Sequence, residues 1–366
     1  MDIARGVLLW ALTQVLYEIP EQVSMQFGSR VIRPRPRIPP CTHIPLPSRG
    51  RRNILAGKST TPALNPSTPL LFNFSHSKLL NTTSSTNSYW TSSYITNTTN
   101  EQYLLISHLL VGPSDRSWYR ASALNLANPS NYTTTVTSST APVFQPGPQL
   151  RATMRTFSAD SPVLTFDLTY AATSTALVNG GMGLFAFGSG RTYEWGLPNC
   201  VTTGSARING APLRVDPARS FTWFDRQWIE AAAAASWTRF ELHVAGSRDR
   251  LSVWAIDSGE GGGPGVRFAT IRRGDGAQLV VPVGFRADYT RQWYSQASGK
   301  LYPLDWVVTV GEVGVFRIAS IVGDQEIAGG SAFPTAYEGF VTFDGRFEGQ
   351  EVGGFGVVEI IFSGES

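Results

Sequence analysis

The chain has 366 residues, 42% of them hydrophobic and 16% charged, with a formal net charge of +3. That content fills one large β domain or two of ordinary size. No stretch approaches the roughly 18 uninterrupted apolar residues of a membrane span, and the charge is too small and dispersed to argue for nucleic acid.

Residues 1–85 predict a largely disordered leader. After Arg5, "GVLLWALTQVL" is a short apolar run of the signal-peptide kind, but "YEIPEQ" follows in place of a small-residue cleavage site. Arginines among prolines crowd "RVIRPRPRIPP" and "SRGRR", and Ser, Thr, Asn and Pro dominate from about residue 57, compositions that resist a packed core. "GRRNILAGKST" fails as a phosphate loop, because the glycine required five residues before Gly57 is Arg52. Sequons at Asn73, Asn81, Asn97 and Asn131 lean toward the secretory pathway rather than the cytoplasm, although Ser/Thr/Asn-rich sequence generates such triplets by composition alone.

At "SYWTSSYI" the character changes, with aromatic and β-branched residues alternating with polar ones, so the folded region is expected over 86–366. "ARINGAPLRV" predicts a hairpin pivoting on Asn209-Gly210, and "RFELHVAGSRDRLSVWAID" a second, with Phe240, Leu242 and Val244 on one face and Leu251, Val253 and Ala255 on the return. "VVTVGEVGVFRI" and "FVTFDGRFEG" are expected to turn at glycines and at the pair Asp344-Gly345. Between these units, "WIEAAAAASW" could form two helical turns as a linker. Thirty-six glycines and many short strands argue for antiparallel barrels or sandwiches, and the length suits two of them.

Few residues offer covalent chemistry. Cys41 and Cys200 allow one disulfide at most, and Lys300 is the one lysine in the folded region. Of His43, His76, His108 and His243 only the last two lie there, so a three-histidine metal site is not available. Aromatic groupings with polar tips stand out instead: "RTYEWGLPNC" with Tyr193, Glu194 and Trp195, "FTWFDRQW" around Asp225 and Arg226, and "RQWYSQASGKLYPLDW" with Trp293, Tyr294, Tyr302 and Trp306. Each could fill a barrel interior or line a cavity for an elongated apolar molecule. Asp225 among aromatics is either half of a buried ion pair or a group that meets a ligand.

At "TYEWGLPNCVTTGSARING", "FTWFDRQW", "RQWYSQASGKLYP" and "AYEGFVTFDG" followed by "GFGVVEI", the chain resembles a lipocalin-like family. That family contains bacterial carotenoid hydratases, AttH-type proteins, fungal kievitone hydratase and the fungal Diels-Alderases of decalin and cytochalasan pathways, and the character is closest to the last. The resemblance spans about 86–366 and implies an all-β protein of two lipocalin-like antiparallel β-barrel or sandwich domains, 86–232 and 233–366, with the ligand between them. The carotenoid hydratases use an aromatic-x-Asp pair and an upstream His-x-Trp pair. The matching positions are Trp223-x-Asp225 and Tyr193-x-Trp195, where tyrosine replaces the proton-shuttling histidine. A pericyclic cyclase needs no such shuttle, only a folded polyene and a polarising hydrogen bond.

The expectation is therefore a cofactor- and metal-independent pericyclase, closing a linear polyketide or polyketide-amino acid polyene by an intramolecular Diels-Alder reaction. It would be linked functionally to a polyketide synthase and bind a hydrophobic small molecule. Tyr193 and Asp225 are the implied catalytic groups, Trp90, Trp195, Trp223, Trp293 and Tyr302 the substrate-binding ones, and Arg226 is expected to pair with a carboxylate. The alternatives are a hydratase or dehydratase of a prenylated or polyene alkene, with Asp225 as proton donor, and a non-catalytic carrier.

Overall fold

The computed structural model describes residues 86–112, 117–137, 143–145, 150–153, 163–230, 236–258, 265–329 and 335–362. The leader, Cys41, the sequons at Asn73 and Asn81 and the alanine run after Glu230 lie outside the described residues.

The chain is all-β. A first antiparallel sheet holds β1 (Thr86–Thr96), β2 (Gln102–Val111), β3 (Ser117–Asn125), β4 (Tyr132–Thr137), β5 (Val143–Gln145), β6 (Leu150–Thr153) and β7 (Leu164–Ala172). It continues with β8 (Leu177–Val178), β9 (Leu184–Phe187), β10 (Gly190–Ile208), β11 (Ala211–Arg214) and β12 (Phe221–Glu230). Its order is β4-β3-β2-β1-β12-β10-β7-β6-β5, curled into a half-barrel, and β8, β9 and β11 also pair with β10. The second sheet comprises β13 (Trp237–Val244), β14 (Arg250–Ile256), β15 (Val266–Arg272), β16 (Gln278–Tyr294) and β17 (Leu301–Val310). It is completed by β18 (Gly314–Ser320), β19 (Glu326–Ile327), β20 (Ala336–Phe347) and β21 (Gln350–Ile361). Pairing of β18 with β20 closes an 8-stranded barrel, with β19 outside the ring.

Turn chemistry sets several joints. Asn209 and Gly210 both take positive φ, +49° and +81°, which gives the two-residue turn whose twist matches the β10–β11 hairpin. Asp344-Gly345 departs from expectation: it lies inside β20, and the turn falls four residues later at Glu348-Gly349, again with both φ positive. Gly345 is there because a Cβ would stand 2.0 Å from the Val315 carbonyl oxygen, so it marks a close crossing of strands.

Period-two alternation distributes the side chains. Inside the barrel, Phe240, Leu242, Leu251, Val253, Trp306 and Val358 pack as one buried cluster, so that interior is filled with side chains. Tyr89, Tyr170, Trp195, Phe224 and Trp228 form the core on the corresponding face of the first sheet. The intervening residues of β1, β12, β13 and β21 face the other sheet, and a cavity opens there.

Candidate active site

The cavity, about 190 Å³, is lined from both sheets: Ser88 and Trp90 of β1, His108 of β2, Arg120 of β3, Glu194 of β10 and Asp225 of β12, against Trp237 and Arg239 of β13, Trp254 of β14 and Glu359 of β21. It is layered. Leu110, Ile229 and Trp237, partly exposed, give the mouth its apolar surface beside Thr86 and Gln227, and the charged groups beneath are buried.

Two reciprocal arginines make the charged floor. Arg239, from the barrel, ion-pairs with Asp225 through Nη2, lies 3.6 Å from Glu194 through Nε, and stacks its guanidinium 5.1 Å from the Trp90 ring centroid and 5.5 Å from that of Trp254. Arg120, from the first sheet, reaches the other way to Glu338 at 3.0 Å and Glu359 at 3.3 Å. Each sheet thus sends one cation into two carboxylates of its neighbour. Deeper still, Glu241 accepts hydrogen bonds from Ser92 and Tyr94 and lies 2.8 Å from His243, whose ring stacks on Phe355.

Asp225 accepts from Trp223 Nε1 at 2.7 Å as well as from Arg239. Gly196, opposite Asp225 in the β10–β12 register, makes room for this: a Cβ there would lie 2.2 Å from Asp225 Oδ1 and 2.9 Å from Trp223 Nε1. Burial pushes both carboxyls up, with the Arg239 charge opposing it at each. The shift is larger at Glu194, which the Asp225 charge also raises and whose Oε2 has no hydrogen-bond partner among the described residues. Trp223 and Arg239 both donate to Asp225, which favours its carboxylate form, while Glu194 carries the larger upward shift and the open oxygen.

The predicted residues divide between this site and the two cores. Trp90 and Asp225 line the cavity, and Trp223 supports Asp225 from below. Tyr193 and Trp195 are on the opposite face of β10, where Tyr193 stacks on Trp228 with centroids 4.9 Å apart and Trp195 joins the first core, so neither meets Asp225. Trp293 and Tyr302 stack on each other in the barrel cluster, where Tyr302 donates to Glu326 at 2.7 Å. Arg226 also corrects the sequence reading. It points away from its neighbour Asp225, donates to Asn87 at 2.7 Å and lies over the rings of Tyr89 and Trp228, leaving Arg239 as the partner of Asp225.

Local spacing contained a signal for Glu194. The register sets Glu194 opposite Gln227 and Gly196 opposite Asp225, so alternation turns Glu194 toward Asp225 and the flanking aromatics away. Arg239, Arg120, His108 and Glu359 come from remote strands and carried no local signal. His108, Glu338 and Glu359 bring potential metal-ligand atoms within 4.8 Å of one another. Nη2 of Arg120, however, lies within 3.3 Å of an atom of each, so a guanidinium already occupies the point where a cation would bind. Among the described residues no helix is long and apolar enough to cross a membrane.

A family profile described as AttH-like matches residues 94–361. Kievitone hydratase of Fusarium solani subsp. phaseoli is 43% identical over 314 residues, covering 82% of this chain and 88% of its own. The dehydratase AsqC of Emericella nidulans is 34% identical over 348 residues, covering 85% of this chain and 99% of its own. A crystal structure of kievitone hydratase from Nectria haematococca superposes with a TM-score of 0.71 at 39% identity, covering 83% of this chain and 96% of that one.

Proposed function

The chain belongs to the AttH-like family, and on that premise we propose that the cavity adds water to, or removes it from, a carbon–carbon double bond of a prenylated or polyene small molecule. One observation carries the reading: Glu194 and Asp225 share Arg239, with Glu194 the more strongly raised of the two and its Oε2 unengaged beside an aromatic wall. The hydratase and dehydratase relatives support the same class of reaction.

In the hydration direction Glu194 gives its proton to one alkene carbon. The π pair forms the new C–H bond, and positive charge develops on the other carbon. The Asp225 carboxylate on the cavity wall stabilises that charge by its field. Water forms the C–O bond and loses its proton to Asp225, which returns it to Glu194 before the next turnover. Dehydration is the same sequence reversed. The apolar mouth receives the hydrocarbon part of the ligand.

The cyclisation set out from the sequence would use the same aromatic walls, and the link to a polyketide synthase belongs to it, but it gives no task to a protonated Glu194 beside an ionised Asp225. Incubation with prenylated and polyene alkenes in ¹⁸O-labelled water separates the readings. Hydration yields a product heavier by one labelled water; a ring-bearing product of unchanged mass would replace hydration with cyclisation.

A further inference from the structure

Opposite the acid–base pair, the cavity wall holds a hydrogen-bond chain whose direction is fixed. Arg120 places Nε 3.1 Å and Nη2 2.8 Å from His108 Nδ1. Guanidinium nitrogens only donate, so Nδ1 carries no proton and accepts. Burial and the Arg120 charge hold His108 well below the usual histidine range, leaving a neutral ring whose one proton must be on Nε2. That N–H points at Ser88 Oγ, 2.8 Å away. Ser88 therefore accepts from His108, and its own O–H must be spent elsewhere. Ser88 is 4% exposed and lines the cavity, and among the described residues no acceptor meets that hydrogen.

We infer that the Ser88 hydroxyl is the anchor for an acceptor oxygen of the ligand, aimed into the cavity by Arg120 and His108. This inference rests on reading the cavity as the ligand site. It narrows the substrate class from a bare hydrocarbon to an oxygenated alkene bearing a carbonyl, ether or hydroxyl oxygen. The register adds a spacing. Ser88 stands opposite Gln227, two residues from Asp225, so the two are diagonal neighbours about 7–8 Å apart. The ligand's oxygen is removed from its reacting carbons by a distance of that order, which suits a ring oxygen and a short alkenyl branch on one scaffold.

Binding tests this without turnover. The probes are 4-prenylanisole, whose ether oxygen accepts but cannot donate, and prenylbenzene, which lacks the oxygen; quenching of the tryptophans around the cavity reports occupancy. The wild-type chain is expected to prefer the anisole by about five- to tenfold, the size of one hydrogen bond. Ser88→Ala reduces that preference to within about twofold by weakening the anisole alone, and Ser88→Thr restores it. A wild-type preference within twofold, or one that Ser88→Ala leaves intact, overturns the assignment. So does a ¹⁵N spectrum placing the His108 proton on Nδ1, a measurement that needs no ligand. Failure of every form to turn over an alkene would instead sink the hydration reading and leave this comparison standing.

Discussion

At the scale of single residues, the site depends on two carboxyls in different protonation states. Glu194→Gln keeps the shape but cannot give up a proton as an acid does, so it is expected to lower kcat by about 10²-fold or more. Asp225→Asn is expected to fall comparably, whereas a cyclase would retain most of its rate because an amide can still polarise a carbonyl. Steady-state rates with unchanged thermal unfolding check both. Because the raised value at Glu194 keeps it protonated, activity is expected to fall as pH rises through that value, and Glu194→Gln abolishes this limb. Stability follows the same sign. Burial pushes Glu241 and Glu338 up to about 8, against an ordinary value of 4.5. Groups raised in the folded state contribute fully below their unfolded value, and that contribution is lost on passing through the folded one. The Tm is therefore expected to decline as pH climbs from about 4.5 to about 8, and calorimetry of Glu338→Gln should show a shallower decline.

At the scale of elements, β10 does the most positioning. It pairs with β12 over Arg191–Val201 and with β11 beyond, while its other edge changes partner from β9 and β8 to β7. The register shift between Leu197 and Cys200 brackets Pro198, which has no N–H to offer the ladder. Just before that shift, Gly196→Ala would drive a methyl into Asp225 and Trp223. It is expected to cost about 1–3 kcal/mol of stability and at least tenfold in kcat, read by denaturant unfolding and initial rates. The hairpins at Asn209-Gly210 and between β13 and β14 were legible because turn chemistry and alternation are local. Asp344-Gly345 misled because the same pair also serves where two strands cross closely. Trp293 and Tyr302 stand in the barrel cluster rather than at this cavity; a packed barrel interior and a ligand wall ask for the same aromatic residues. Asp225 was legible from its motif, but its partner was not: Arg226 is adjacent in sequence and faces away, while Arg239 is a strand removed.

At the scale of the whole molecule, the ion pairs that build the floor also join the sheets. Arg239→Met would leave Asp225 and Glu194 without their cation and is expected to cost about 3–5 kcal/mol, part of which the double variant with Asp225→Asn recovers. Denaturant unfolding of the single and double variants checks the coupling; strictly additive costs would argue against it. The layered cavity also bears on how substrate preference can change over generations. The floor tolerates little drift, since altering one charge strands several others. At the mouth, Trp237 donates to Glu359 and is tied to that floor, whereas Leu110 and Ile229 take no part in it and can exchange one hydrophobic side chain for another at modest cost. Lineages sharing this cavity would keep the reaction and remodel the doorway, so new specificities should be sought first at Leu110 and Ile229.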